Sequence, residues 1–341
     1  MAKVSIIVLN WNGKQYLQDC LISLSKVTYK NKEIIVVDNN STDGSVEYIT
    51  EKFPDIQVIK NKKNYGFAKG NNIGFSASKG EYILLLNNDT KVTPNFLTPL
   101  LEDFEKYPNI GCIQPQIRLF KNQQLLDGVG SYLTFTGFLY HFGYLKNRSQ
   151  KKYTTQKEIF SAKGAAMLLR RVAIENVGLF DEDFFIFFEE TDLCFRLWLA
   201  GYTVVYEPKS VLYHLGGGDT TSSDSYKYER RMYLSFRNML CSYLKNFGMQ
   251  NSFTILPVFI CIQIGLLIYY IVSFNFNLVK IMFAAWYWNV IHINSTMKKR
   301  NKVQKVLRKI SDRQLHSRIM MYPKFSYYIA LFMGTLKNYR E

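Results

Sequence analysis

The residues of this chain best placed to do chemistry are carboxylates that close apolar runs. Asn87-Asn88-Asp89 ends the run Tyr82-Ile83-Leu84-Leu85-Leu86, and Asp38 ends Ile34-Ile35-Val36-Val37. A carboxylate at the C-terminal tip of a buried strand adds little packing, but it can hold a divalent ion against phosphate oxygens, which makes Asp89 a candidate metal ligand. Asp38 can accept a hydrogen bond from the ring N–H of uracil or thymine. Both stretches also read as turns. Asn87 and Asn88 shape the bend that presents Asp89, and Asp38-Asn39-Asn40-Ser41-Thr42-Asp43-Gly44-Ser45 leads into a helix that Ser41 or Asp43 can cap. The turn and ligand readings are compatible.

The elements that must position these residues are legible as alternating runs. Val4–Leu9, Ile34–Val37, Ile56–Ile59 and Tyr82–Leu86 read as strands, and the segments around Leu17–Leu24, Val46–Phe53 and Gly66–Ser78 read as helices. That alternation predicts an α/β fold with a mostly parallel sheet covered on both faces, whose ligands sit beyond the carboxyl ends of the strands. Asn10, Asp38, Asn64 and Asp89 all fall at or just after such ends. Gly66, Gly70 and Gly74 recur every four residues on one helix face, a spacing that permits close approach of a ligand or of the sheet. Residues 92–160 are patterned more loosely. Ala162–Asn176 reads as a helix, and Thr203–Tyr206 reads as a strand leading through Pro208 to His214.

Charge is unevenly distributed over the 341 residues. The last 91 hold 13 of 43 basic residues and two of 27 acidic ones, a net +11, which leaves +5 for the first 250. The basic cluster from Lys298 to Lys309 follows an uncharged run, Phe253–Phe274, long enough to cross a bilayer, and an aromatic segment, Ile281–Ile293. Cations beside such segments favour an anionic membrane surface over nucleic acid as partner. Cysteines 20, 112, 194, 241 and 261 form no metal or disulfide pattern. Met1–Asn10 lacks the features of a signal peptide, so the N-terminus is expected in the cytosol.

Taken in order, Asn10-Trp11-Asn12, Glu33–Asp38 with Asn-Asn-Ser-Thr-Asp-Gly-Ser, Asn64-x-Gly66-Phe-Ala and Leu-Leu-Leu-Asn87-Asn88-Asp89 resemble the inverting glycosyltransferases of family 2, in particular their rhamnosyltransferase-like branch. Asp127-Gly128-Val129-Gly130, Gly164–Arg171, Gly178–Phe185, Glu189-Glu190-Thr191-Asp192-Leu193-x-x-Arg196, His214 and Arg237-Asn238 continue the likeness to about residue 247. The resemblance implies a GT-A fold over residues 1–250, and the apolar and basic pattern that follows makes 251–341 a membrane-associating helical tail. The resemblance also implies a UDP- or dTDP-sugar donor, Mg2+ or Mn2+ as cofactor, and a polyprenyl-linked saccharide acceptor at the cytoplasmic face of the membrane.

Residue by residue, the resemblance implies that Asp38 contacts the pyrimidine, that Asn64 and Gly66 line the nucleoside pocket beside Asn10 and Asn88, and that Asp89 ligates the metal. His214, in a His-x-x-Gly setting with the glycines 216–218 as a closing loop, becomes a second metal or phosphate contact. Gly164, Ala165 and Glu189 fall on the acceptor side. The family usually has Glu-Asp where this chain has Glu189-Glu190, so Glu190 takes the place of the catalytic base, with Asp192 as its rival. On a helix Asp192 would instead pair with Arg196. A catalytically silent nucleotide-sugar binding module and a membrane-tethered nucleic-acid binder remain as alternative readings.

Overall fold

The computed structural model describes residues 2–216 and 225–339. The first half alternates as expected: β1 (Val4–Asn10), α1 (Lys14–Ser25), β2 (Lys32–Asp38), α2 (Ser45–Lys52), β3 (Gln57–Lys60), α3 (Gly66–Ala77) and β4 (Tyr82–Asn87). Then follow β5 (Thr90–Val92), α4 (Leu97–Lys106), β6 (Ile110–Leu119), β7 (Leu126–Gly128), β8 (Gly130–Tyr132), β9 (Tyr140–Phe142), β10 (Lys157–Glu158), β11 (Ala166–Arg170), α5 (Arg171–Val177), α6 (Glu189–Leu199) and β12 (Thr203–His214). Among the described residues ten strands form one sheet. Its path is β10-β12-β6-β11-β4-β1-β2-β3, with β5 added to β12 and β7 to β6. The pairs of β1 with β2, β1 with β4, β2 with β3 and β6 with β12 are parallel, whereas β11 runs antiparallel between β4 and β6.

Register delivers the polar tips to one edge. Asn10 lies opposite Asp38, and Leu9 lies opposite Asn87, so the ends of β1, β2 and β4 are level. Residues 6–8 of β1 and 83–85 of β4 have no exposed surface, as strands covered on both faces require. The glycine stripe of α3 serves this packing: a methyl group at Gly70 would overlap Leu9, and one at Gly74 would overlap Ile7.

Two local expectations are corrected. Ala162–Asn176 is not one helix, because Ala166–Arg170 is a strand and only Arg171–Val177 is helical. Ala, Met and Leu are good helix formers, but a slot between β4 and β6 outweighs that preference. At α2, the position ahead of the first helical residue falls to Gly44 in a left-handed conformation, and no side chain caps there. The Asp43 carboxylate instead accepts from the backbone N–H groups of Lys14 and Ser45 at 2.8 and 3.1 Å.

The remaining helices are α7 (Ser225–Asn246), α8 (Met249–Val272), α9 (Phe276–Ile291), α10 (Ile293–Lys302), α11 (Asp312–Ile319) and α12 (Phe325–Phe332). Ile255, Phe259, Leu315, Ile319 and Tyr327 share one apolar core with Phe195, Trp198 and Phe247. α8 and α9 form an antiparallel hairpin in which the Trp286 indole donates to Gln263 Oε1 at 2.8 Å. α8 is long and apolar enough to cross a membrane, and most of it is exposed. Part of the basic cluster turns inward. Lys299 contacts Asp181 and Asp183 at 2.5 and 2.6 Å, Arg300 donates to the carbonyls of Leu244 and Phe247, and Arg308 pairs with Asp312 at 2.9 Å.

Candidate active site

At the sheet edge the side chains form one hydrogen-bonded chain. Asn88 Nδ2 donates to Asn10 Oδ1 at 2.8 Å, and Asn10 Nδ2 donates to Asp38 Oδ1 at 3.0 Å and to Ser41 Oγ at 3.2 Å. Asp38 Oδ2 accepts the Ser41 N–H at 2.8 Å, which closes the turn after β2. Beside it Asn64 Oδ1 accepts the Gly66 N–H at 2.8 Å and the Asn39 amide at 3.2 Å. Gly66 has φ +80, and a Cβ there would lie 2.6 Å from the Phe185 carbonyl oxygen, so only glycine fits. Asn10, Asp38, Asn64, Gly66 and Asn88 therefore lie together. Asn39 and Asn61 complete the network, with Asn61 Nδ2 donating to Asn39 Oδ1 at 2.8 Å.

Asp89 sits in the bend between β4 and β5, and the pairing of β5 with β12 carries it to His214, the last residue of β12. His214 Nε2 lies 3.2 Å from Asp89 Oδ1, and His214 Nδ1 lies 2.7 Å from Asp127 Oδ2. Lys163 Nζ completes the row, 2.6 Å from Asp127 Oδ1. Burial opposes a charge on the imidazole, but the two flanking carboxylates outweigh it and push the His214 pKa up to about 9. Burial likewise opposes the Asp127 carboxylate, yet Lys163 and His214 hold its pKa down to about 2.

Among the described residues no group of three or more acidic, histidine or cysteine side chains gathers to enclose a cation. Asp89 and His214 Nε2 do face each other, and a carboxylate on the opposite ring nitrogen is the usual way of orienting a histidine ligand. Mg2+ is commonly held by one or two protein groups together with substrate phosphates and water. The pair fits that donor set. Of the expected glycine loop, Gly216 has φ +64, while Gly217 and Gly218 lie outside the described residues.

Glu190, in the first turn of α6, lines a cavity of about 630 Å³ that Asp127 and Lys163 also line. The cavity is thus linked to Asp89 through Asp127 and His214. Burial raises the Glu190 pKa, and Lys163 partly offsets that rise. The turn that aims Glu190 is held in an uncommon conformation. Phe185, Phe187 and Phe188 all have positive φ, a state that bulky residues avoid without support. Asn238 Nδ2 supplies support by donating to the carbonyls of Phe184, Ile186 and Phe187 at 2.7–3.0 Å, and Arg237 donates to those of Asp183 and Phe184. The Phe185 carbonyl accepts the Phe67 and Ala68 N–H groups at the start of α3.

The other acidic residues of this segment face away from the cavity. Glu189 is buried, and burial together with the neighbouring Glu190 raises its pKa well above the ordinary range. Asp192 has no exposed surface and accepts from Arg196, Lys245, Ser242 and Asn246 at 2.7–3.0 Å. Ala165 is buried and its carbonyl accepts the Asn87 N–H at 3.0 Å, whereas a methyl group on Gly164 would lie 3.9 Å from Glu190 Cδ. Sequence reasoning gave no role to Asp127, Lys163 or Asn238, although Asp127-Gly128 and Arg237-Asn238 stood within recognised motifs.

Comparison with known proteins places this geometry in context. Residues 5–178 match the model of the family described as glycosyl transferase family 2. Poly-beta-1,6-N-acetyl-D-glucosamine synthase of Staphylococcus epidermidis is 26% identical over 216 residues, covering 62% of this chain and 50% of the synthase. The chain thus spans about half the length of that relative. N-acetylglucosaminyl-diphospho-decaprenol L-rhamnosyltransferase of Mycobacterium tuberculosis is 23% identical over 229 residues, covering 61% of this chain and 75% of the relative. A solved mannosyltransferase from Pyrobaculum calidifontis, in complex with GDP-Man and Mn2+, aligns over 98% of this chain and 87% of its own with TM-score 0.54 and 14% identity, a likeness of fold. The family match covers half of the chain and includes the whole sheet edge from Asn10 to Asp89, so the chain belongs to glycosyltransferase family 2.

Proposed function

We propose that the protein is an inverting glycosyltransferase that moves a sugar from a UDP- or dTDP-sugar to a lipid-linked saccharide. The observation that carries this reading is the placement of Glu190. Its carboxylate lines a cavity that meets, through Asp127 and His214, the strand-end edge bearing Asp89, Asn10 and Asp38. Asp38 and the Asn64–Gly66 turn would bind the nucleoside. Asp89 and His214 would hold a Mg2+ or Mn2+ ion, which when bound neutralises charge on the donor diphosphate.

In the transfer step Glu190 takes the proton of the acceptor hydroxyl. That oxygen bonds to the anomeric carbon on the face opposite the nucleoside diphosphate, and the bond between sugar and diphosphate breaks, its electron pair leaving on phosphate oxygen. Lys163 assists by drawing the raised Glu190 pKa downward, so that more of the base is ionised. Asp192 is enclosed by four donors and presents no surface to a substrate, which favours Glu190 as the base. The exposed apolar hairpin of α8 and α9 would keep the enzyme at the cytoplasmic membrane face, where lipid-linked acceptors reside.

The test is transfer of radiolabelled sugar from a panel of UDP- and dTDP-sugars into lipid extract by wild type and Glu190→Gln. Transfer by wild type and a loss of about 10²-fold or more in the variant are expected, the usual worth of a positioned base. Equal transfer by both proteins would remove Glu190 from the role, and donor binding without any transfer would favour a silent binding module.

A further inference from the structure

The cavity that begins at Glu190 has a second end of different chemistry. Asp127, Lys163, His141 and Glu190 make one end polar. The other end is built by the C-terminal helices: Met239 from α7, Leu266 and Tyr270 from α8, and Leu331 and Phe332 from α12. A sugar or peptide placed there would bury hydroxyls or amides against aliphatic walls with few partners, a costly arrangement that a hydrocarbon chain avoids.

The apolar end also reaches the outside. Phe332 lines the cavity, while Ile329 and Met333 on either side of it are exposed without lining it, so α12 contributes both to the inner wall and to the outer surface. The helices that build this end also expose apolar side chains. Ile264, Ile268 and Tyr269 of α8 are 43%, 55% and 63% exposed, and Ile329 of α12 is 47% exposed with Met333 just beyond its end at 71%. Exposed apolar residues on helices that share an apolar cavity mark a contact with membrane or partner, and α8, which contributes most of them, is long enough to span the hydrocarbon of a bilayer. Arg231, lying over the Tyr228 ring at 5.4 Å from its centroid, brings a guanidinium to the cavity wall. Guanidinium groups suit phosphate oxygens.

We propose that the cavity is an amphiphile site in which the hydrocarbon chain of a diphosphate-linked acceptor runs from the polar end at Glu190, past Leu266 and Leu331, and leaves the protein at Phe332 between α8 and α12. The C-terminal helices are then the lipid half of the acceptor site as well as an anchor. This inference rests on the glycosyltransferase reading and adds the path of the lipid and the residues that select for it.

The test uses the full chain in detergent micelles, with farnesyl diphosphate carrying a photoreactive diazirine at its chain terminus. Saturable labelling of the peptides containing Leu266–Tyr270 and Leu331–Phe332 is expected, competed by unlabelled farnesyl diphosphate. Leu266→Trp and Leu331→Trp, which narrow the apolar end, should lower that labelling at least tenfold and leave calorimetric binding of the nucleotide-sugar donor unchanged. Labelling confined to the outward residues Ile264 and Ile268, labelling indifferent to both tryptophan variants, or labelling removed equally well by inorganic diphosphate would overturn the inference. Intact donor binding without cavity labelling overturns this inference alone, whereas absence of donor binding in wild type overturns the reading on which it rests.

Discussion

Asp192 and Glu190 lie two residues apart in the same first turn of α6, and replacing each by its amide separates a structural carboxylate from a reacting one. Asp192 has no exposed surface, pairs with Arg196 at 2.9 Å and Lys245 at 2.9 Å, and accepts from Ser242 and Asn246 at 2.9 and 2.7 Å. Asp192→Asn removes the charge and turns an N–H2 group toward donors. Breaking a buried ion pair costs about 3–5 kcal/mol. Lys245 keeps its contact with Asp181 at 2.8 Å, and Arg196 keeps the carbonyls of Val177, Gly178 and Leu179, so the lower end, about 3 kcal/mol, is expected.

The same argument fixes a pH signature. Burial opposes the Asp192 charge, but Lys245 and Arg196 outweigh it and lower its pKa, so this stability is present above the ordinary carboxylate range and is lost as pH falls through the lowered value. The assay is urea unfolding followed by tryptophan fluorescence, with buried Trp198 in α6 as a reporter, beside initial rates of transfer. Glu190→Gln should unfold within about 1 kcal/mol of wild type, since it lies at a cavity rather than in an ion pair. An Asp192→Asn protein of wild-type stability that has lost transfer would refute the reasoning and make Asp192 the base.

Asn238→Ala should free the Phe185–Phe188 turn at a cost of about 1–3 kcal/mol for the carbonyls left unpaired, and should lower kcat while donor affinity measured by calorimetry is unchanged. The raised Glu190 pKa predicts that kcat falls on the acid side at a higher pH than an ordinary glutamate would give, and Lys163→Met should move that limb higher still in a pH–rate profile. Glu189, buried beside Glu190, also has its pKa raised, so its contribution to stability is greatest below the unfolded-state value and is lost as pH rises through the folded one. Glu189→Gln should therefore gain in Tm over wild type as pH rises above the ordinary glutamate range.

The sheet edge was legible because each of its residues ends an apolar run: Asn10 after Val4–Leu9, Asp38 after Ile34–Val37, and Asp89 after Tyr82–Leu86. Period and polarity are local properties, and for a parallel sheet they also say which end the ligands use. Strand β11 was hidden by its composition, since Ala166-Met167-Leu168-Leu169 carries helical preference and only its neighbours make it a strand. The resemblance already paired Asp89 with His214, but the continuation of that row to Asp127 and Lys163 was hidden by distance. His214 meets Asp127 across 87 positions, and nothing near either residue announces the other. Lys299 shows the same limit: it stands in a basic run that reads as a membrane contact, yet it reaches Asp181 across 118 positions. Asn238 became meaningful only with the three positive-φ phenylalanines whose turn it supports.

The most direct measurement of the central claim is calorimetric titration of wild type and Asp89→Ala with UDP- and dTDP-sugars, each with Mn2+, with Mg2+ and with chelator. The account predicts saturable binding of a pyrimidine-diphosphate sugar by wild type that is strengthened by the metal, and loss of that metal dependence in Asp89→Ala. Absence of metal-dependent binding across the donor panel, or a metal response that survives Asp89→Ala unchanged, would contradict it.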